Sequence, residues 1–342
     1  MSRRRTIALL AALAVTLVVP RPAVGASEKP AQAAPKVTVL NGNALSGLGS
    51  GSTIGPDGAL YVTNGTAGTL VRVDPRTGAA RVVGRGLPPR VIDIGAAMDV
   101  SFLGGRAYVL VTVAGADVGG DPTTRTGIYR MRDDGTFSVF ADLGRWSTNH
   151  PPKDPDWFVP SGVQYSMEVW RRGFVVTDAH LGRVIRVDHR GRISELVAFP
   201  TTNAVPLGLE VADGRVYVSL AGPIPHVPAN SHIGLVRRDG TVKEVAGWGA
   251  DYTGNRGLLL DVEQGRRDRF YGLLQGYWNL EPTPENEGFP AAPRTGEIVV
   301  VRPDGTFRTV VSRLDRPTSL ELVGHTAFVV TVTGKVLRID GM

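Results

Sequence analysis

Polar and apolar positions alternate with a period of two in short runs along this chain, and the runs recur. The triplets Leu60-Tyr61-Val62, Ala107-Tyr108-Val109, Phe174-Val175-Val176, Val216-Tyr217-Val218, Phe270-Tyr271-Gly272 and Phe328-Val329-Val330 mark six of them. Each is followed by a partner run, such as Leu70 to Asp74, Val184 to Asp188 or Val336 to Asp340. Tight-turn sequences stand between the runs, among them Gly55-Pro56-Asp57-Gly58, Asp133-Asp134-Gly135, Arg238-Asp239-Gly240 and Pro303-Asp304-Gly305. Short strands separated by Gly and Asp turns predict an antiparallel meander. A strand unit repeated six times between residues 52 and 342 predicts radial repetition, an all-β fold of six propeller blades. The sixth unit starts at Thr318 and runs out at Asp340 after three strands. The β-prone run Lys36 to Leu40 is expected to supply its missing outer strand, joining the ends of the ring and hiding an open edge.

The N-terminus has a different pattern. Arg3, Arg4 and Arg5 precede an apolar stretch from Ile7 to Val19, and Val24-Gly25-Ala26 places small residues where a signal peptidase reads. Residues 1–26 are expected to be a secretory signal, 27–35 a flexible Ala/Pro-rich lead-in, and 36–342 the propeller of a secreted, extracellular protein. The general secretory route is favoured over twin-arginine export, because Thr6 stands where a Phe is usual. The apolar stretch is too short for a membrane-spanning helix. Removal of Arg3, Arg4, Arg5 and Arg21 takes the formal charge from +6 to +2. The mature chain has no lysine-arginine block, so nucleic acid and anionic membrane are not expected as partners. The chain has no cysteine, hence no disulfide and no lipid-attachment site, and it reads as a monomer stabilised by its core.

In a four-stranded up-and-down blade, the first-to-second and third-to-fourth turns share one face. The other loops share the opposite face. Almost all the short turns fall on the first. The second receives the long segments Thr112 to Thr126, Gly144 to Gln164, Ser219 to Ser231 and Leu273 to Thr295. Long loops on a rigid scaffold are where binding residues concentrate. His150, Trp157, Tyr165, His180, His226 and Trp278 are the ligand-binding candidates there, with a small molecule, glycan or protein as partner. The competing reading is that these aromatics cover one another.

The inner strands carry a second candidate. Asp99, Glu168, Glu210, Asp261 and Glu321 occupy what reads as one place in five of the six, Thr53 taking the sixth. Facing the channel, they would form an oxygen-ligand ring of the kind Ca²⁺ takes. Facing the next blade, they would pair with the recurrent Arg72, Arg130, Arg186 and Arg338, because a buried carboxylate stays charged only with a partner. The ladder, or a solvated channel rim, is the expectation carried forward, with no cofactor required. Catalytic motifs are missing: there is no Gly-x-Ser-x-Gly elbow, phosphate loop, dinucleotide fingerprint or His-Glu-x-x-His. Enzymatic activity is therefore not the expected reading.

The chain resembles the NHL and SMP-30-like six-bladed propellers, and within them the secreted ScyD/ScyE family. Four stretches carry the resemblance: residues 55–62, residues 159–166, Phe174 to Asp188, and Val205 to Leu209 together with Ser219 to Pro225. The resemblance implies an exported binding or accessory propeller. The SMP-30 relationship implies an alternative, a Ca²⁺-dependent lactonase or hydrolase in which Glu168, Glu210 and Asp261 stand in for part of the family's divalent-cation set. The chain lacks the family's Asn-Pro-Tyr order at residues 159–166, and its inner-strand carboxylates replace small or apolar residues.

Cleavage after Ala26 is expected. N-terminal sequencing of protein from the culture medium should begin at Ser27, and a cytoplasmic form beginning at residue 2 would contradict the signal assignment.

Overall fold

The structure is a computed structural model, and it describes residues 34–42, 49–92, 94–152, 159–199, 204–222, 227–249, 251–277 and 291–342. It contains six four-stranded antiparallel sheets, arranged as the six blades of a β-propeller. The inner strands are Gly49–Ile54, Ala96–Leu103, Gln164–Trp170, Pro206–Ala212, Arg256–Gln264 and Pro317–Val323. Each begins a meander that runs outward through its blade. The turns form where the sequence places them. At the first, Gly55 donates to the Ala59 carbonyl at 2.8 Å while Gly58 takes a φ of 73°, a conformation that glycine adopts without penalty.

The ring closes as expected. Lys36–Asn41 pairs antiparallel with Val336–Asp340, from Lys36 opposite Asp340 to Asn41 opposite Val336. Blade six is thus built from both ends of the described chain.

The apolar alternation explains where the core lies. Among the described residues no strand ladder joins one blade to the next, a lone bridge between Gly247 and Thr306 aside; the sheets face each other through side chains. Six apolar clusters result, one at each seam. Tyr108 and Phe174 meet at 4.9 Å between blades two and three, and Tyr217 and Phe270 at 4.4 Å between blades four and five. Between blades six and one, Phe328, Val330 and Val336 pack on Leu60, Val62, Val71 and Val73. Aromatic pairs of this geometry add about 1 kcal/mol beyond the area they bury.

Deleting residues 27–35 should leave the melting temperature almost unchanged. Deleting 27–41 should cost several kcal/mol, since it strips the outer strand of blade six. Equal thermal unfolding of the two truncations would refute the closure.

Candidate functional site

The bore is lined by carboxylates, and strand register sorts them into two tiers. Glu168, Glu210 and Glu321 lie opposite Val175, Tyr217 and Phe328. Glu263 lies opposite Tyr271 at the same level, where blades one and two offer Thr53 and Ser101. Asp99 and Asp261 sit two residues earlier, nearer the long-loop face, just past a bulge in each inner strand. The expectation of one shared position is therefore corrected: all six inner strands carry the same register shift, so in this common frame the two aspartates stand two residues earlier, and Glu263 rather than Asp261 fills blade five's place among the glutamates. The Asp-Val-Glu alternation over 261–263 carried that signal, since residues two apart share a side of a strand.

The arginine ladder is also corrected. Arg72 binds Asp57 at 2.7 Å, and Arg338 binds Asp340 at 2.9 Å. Arg186 lies 5.8 Å from the Trp170 ring, and Arg130 is exposed. All four are on third strands, a full strand removed from the bore. The carboxylates instead hold backbone. Asp99 accepts from Met167 N at 2.7 Å and the Ser166 hydroxyl at 3.0 Å, both in blade three. Asp261 accepts from Leu320 N in blade six at 2.9 Å, and Glu210 from Gln264 N in blade five at 3.2 Å. Each aspartate also accepts from the amide that follows it.

Glycine makes room for the two aspartates. A Cβ on Gly51 of blade one would come within 2.3 Å of Asp99 Oδ1, and one on Gly208 of blade four within 2.6 Å of Asp261 Oδ1. No side chain fits at either place.

Crowding in the bore raises the acids' pKa values. Burial is the largest cause for all six, and it lifts Asp99 to about 7. Glu168, Asp261, Glu263 and Glu321 are pushed well above the usual carboxylate range by burial and then by one another. Glu210 is raised by burial, against the Gln264 amide that lowers it. Among the described residues no lysine, arginine or histidine is a leading cause of these shifts. Among the described residues no three His, Asp or Glu side chains are grouped to hold a metal ion. The acids that reach furthest spend their oxygens on backbone amides of neighbouring blades. Asp99, Glu210 and Asp261 therefore have fewer oxygens free for the Ca²⁺ set that the sequence suggested.

Tyr165 closes the upper end. It starts from blade three, and its hydroxyl lies 3.4 Å from the Thr318 carbonyl of blade six, the opposite side of the ring. Burial raises its phenol pKa, and the Asp261 and Asp99 carboxylates beneath raise it further. Around it lies an apolar floor of Ala179, Val205, Leu207, Ala221, Leu258, Leu260 and Ala291, from the upper ends of blades three to five.

The other long-loop candidates divide. His150 ends the short helix Leu143–Asn149, which starts with Asp142 accepting from Arg145 N at 2.9 Å. Its ring stacks on Trp146 at 4.6 Å, and its carbonyl accepts from Arg183 at 2.7 Å. Arg183 is buried over the other side of that contact, 4.7 Å from the Trp146 ring and 3.5 Å from Asp178. Asp178 in turn accepts from Val163 N, Leu181 N and Gln164 Nε2. This network anchors the blade-three connection. His180 is buried, accepts from Val159 N at 3.3 Å, and has its pKa lowered to about 4 by burial, so it is neutral above mildly acidic pH. Trp157, His226 and Trp278 lie outside the described residues. Of the six candidates, the structure brings Tyr165 to the centre and His180 to the adjoining loop.

No protein-family model matches the sequence, and no curated relative does. Solved structures do share the fold. A gluconolactonase from Xanthomonas campestris superposes with a TM-score of 0.60 at 11% identity, over 90% of this chain and 89% of that one. Virginiamycin B lyase from Staphylococcus aureus gives 0.54 at 13%, over 90% and 99%. The PQQ-bound aldose sugar dehydrogenase from Streptomyces coelicolor gives 0.56 at 13%, over 90% and 98%. At such identities the likeness shows the fold alone, a six-bladed β-propeller.

The raised acids set a direction for pH dependence. Between the unfolded carboxylate value near 4 and the raised folded values, the native state binds more protons than the unfolded chain, so stability falls as pH rises. The turn aspartates act oppositely. For Asp188 burial is the largest single cause and raises the pKa, but the contacts with Arg192 and Arg190 together outweigh it and lower the value to about 2, so its contribution is lost only as pH falls below about 4. Thermal unfolding should therefore show greatest stability near pH 4–5 and a decline toward pH 8. Glu321→Gln should raise the melting temperature at pH 8 by roughly 2–4 °C and flatten the decline. A flat or rising profile between pH 5 and 8 would overturn the assignment.

Proposed function

We propose that the protein is an exported, non-catalytic propeller of the ScyD/ScyE type that binds a small molecule or glycan on its long-loop face. The observation that carries this reading is the floor around Tyr165. An aromatic ring with a hydroxyl stands at the centre of that face, among small apolar side chains from three blades. Ligand sites are mostly apolar and concave, with few polar groups fixing orientation. His180 and the anchored blade-three connection supply rigid polar edges beside it. The long loops rise from the same blades.

The hydrolase alternative asks the bore to hold a divalent cation and a substrate. Asp99, Glu210 and Asp261 accept from amides of neighbouring blades, and Tyr165 spans the ring above them, which argues against that use of the bore. Fold likeness to lactonases does not transfer their chemistry.

A thermal-shift screen of the mature protein against small aromatic compounds and oligosaccharides tests the proposal. Compounds that stabilise it should bind about tenfold or more weakly to Tyr165→Ala and equally well to Glu321→Gln. Hits lost in Glu321→Gln, or turnover of gluconolactone abolished by chelator, would favour the hydrolase instead.

A further inference from the structure

The turn face, opposite the proposed ligand site, collects arginines that the sequence disperses. Blade three presents exposed Arg171, Arg172, Arg190 and Arg192 there, against Asp188. Blade four presents Arg215, Arg237 and Arg238 against Asp213 and Asp239. Blade five presents Arg266, Arg267, Arg269 and Arg302 against Asp268 and Asp304. In blades one and two the corresponding turns are nearly balanced, with Arg72 held by Asp57 and Arg106 by Asp133. Positive charge thus collects on one half of one face, although no basic run follows Arg3-Arg4-Arg5 in the sequence.

Two observations separate this from an ordinary solvated surface. Arg171, Arg172 and Arg267 occupy hairpin positions with φ of 49°, 65° and 57°. Glycine belongs at such positions, and side chains there are strained. In the corresponding turn of blade four, Gly214 takes φ of 71°. Three exposed arginines therefore persist where the backbone disfavours them. The second observation is Trp170. Its indole N–H donates to the Gly214 carbonyl at 3.0 Å, bridging blades three and four, and Arg171 lies 4.2 Å over its ring with Arg186 at 5.8 Å. The ring holds guanidinium groups in fixed orientation, lowering the entropy lost when they meet an anion.

We infer that the turn face of blades three to five docks an acidic polysaccharide, its carboxylates read by the arginines along an extended track. Arginine forks pair two-pronged with carboxylates. A flat surface of successive turns suits a linear chain rather than a small molecule. None of the exposed large apolar side chains lies on these turns, so nothing there inserts into a bilayer. No unpaired aromatic face is offered to a nucleic-acid base, since Arg171 covers Trp170. This site is independent of the long-loop face and stands or falls separately from it.

The test is binding of the mature protein to immobilised polygalacturonate at about 0.1 M ionic strength, where surface charges act over about 10 Å. Retention that falls steeply with added salt is expected. The double variant Arg172→Gly/Arg267→Gly removes two charges and relieves both backbones. It should melt no lower than the parent yet bind about tenfold more weakly. Arg238→Glu should weaken binding as well, while Lys335→Glu on the opposite face should not. The inference is overturned by no retention, by unchanged binding of the double glycine variant, or by equal or tighter binding to duplex DNA or to phosphatidylglycerol vesicles.

Discussion

Every blade of this propeller ends, at the bore, in a strand edge whose backbone groups have no neighbouring ladder to satisfy them. That constraint organises the centre of the molecule. Buried backbone N–H and C=O groups are costly to leave unpaired, so each seam carries a side-chain bridge. Three seams use hydroxyls. Thr63 donates to Met98 O between blades one and two, Thr177 to Leu207 O between three and four, and Ser52 meets Ser319 between one and six. The other three use the carboxylates Asp99, Glu210 and Asp261. A hydroxyl can both donate and accept, whereas an ionised carboxylate only accepts. The carboxylate seams accordingly face backbone N–H groups, and the hydroxyl of Thr63 or Thr177 reaches a carbonyl.

The same choice explains the electrostatics. Carboxylates at the seams bring negative charge to a narrow bore, and no cation of the described residues offsets it. Repulsion and burial raise their pKa values, and protonation relieves both. The ring is therefore a structural device with a chemical side effect, in that burial and mutual repulsion favour the protonated carboxyls. Arginine counter-charges would have removed that effect. They stand instead at the outer strands and turns, where solvent is available and the carboxylates of Asp57, Asp188 and Asp340 hold them.

Period-two alternation and turn chemistry made the blades, their order and the N-terminal closure legible from the sequence, because those signals are local. The bore was legible only in composition. Reading Asp99, Glu168, Glu210, Asp261 and Glu321 as one position aligns the strands on an acid between apolar neighbours. Met98-Asp99-Val100 and Leu260-Asp261-Val262 match that pattern two residues before the glutamate level, on the same side of the strand, and Glu263 was overlooked for that reason. Tyr165 was a candidate from the sequence, but it stands in the inner strand of blade three just past the long segment, and its reach across the ring depends on geometry that only the closed propeller supplies. The basic turn face was hidden differently. Arg171 and Arg267 are far apart along the chain, and radial repetition alone makes them neighbours in charge.

Register also uncovers a symmetry within the ring. Gly51, Asp99 and Met167 in blades one to three are matched by Gly208, Asp261 and Leu320 in blades four to six. In each set a glycine yields space to an aspartate of the following blade, and that aspartate accepts an amide from the blade after. The two sets lie half a turn apart, so the upper tier has a pseudo-twofold axis along the bore. The glutamate tier below breaks it, with blades three to six acidic and blades one and two offering Thr53 and Ser101. A glycine and an aspartate in these positions are mutually dependent, because the missing Cβ is what admits the carboxylate. The two proposed surfaces depart from the twofold axis as well, the apolar cluster around Tyr165 drawing on blades three to five and the exposed arginine turns lying on the same blades. Both proposals thus fall on one side of a symmetric frame that the two aspartate cradles hold together.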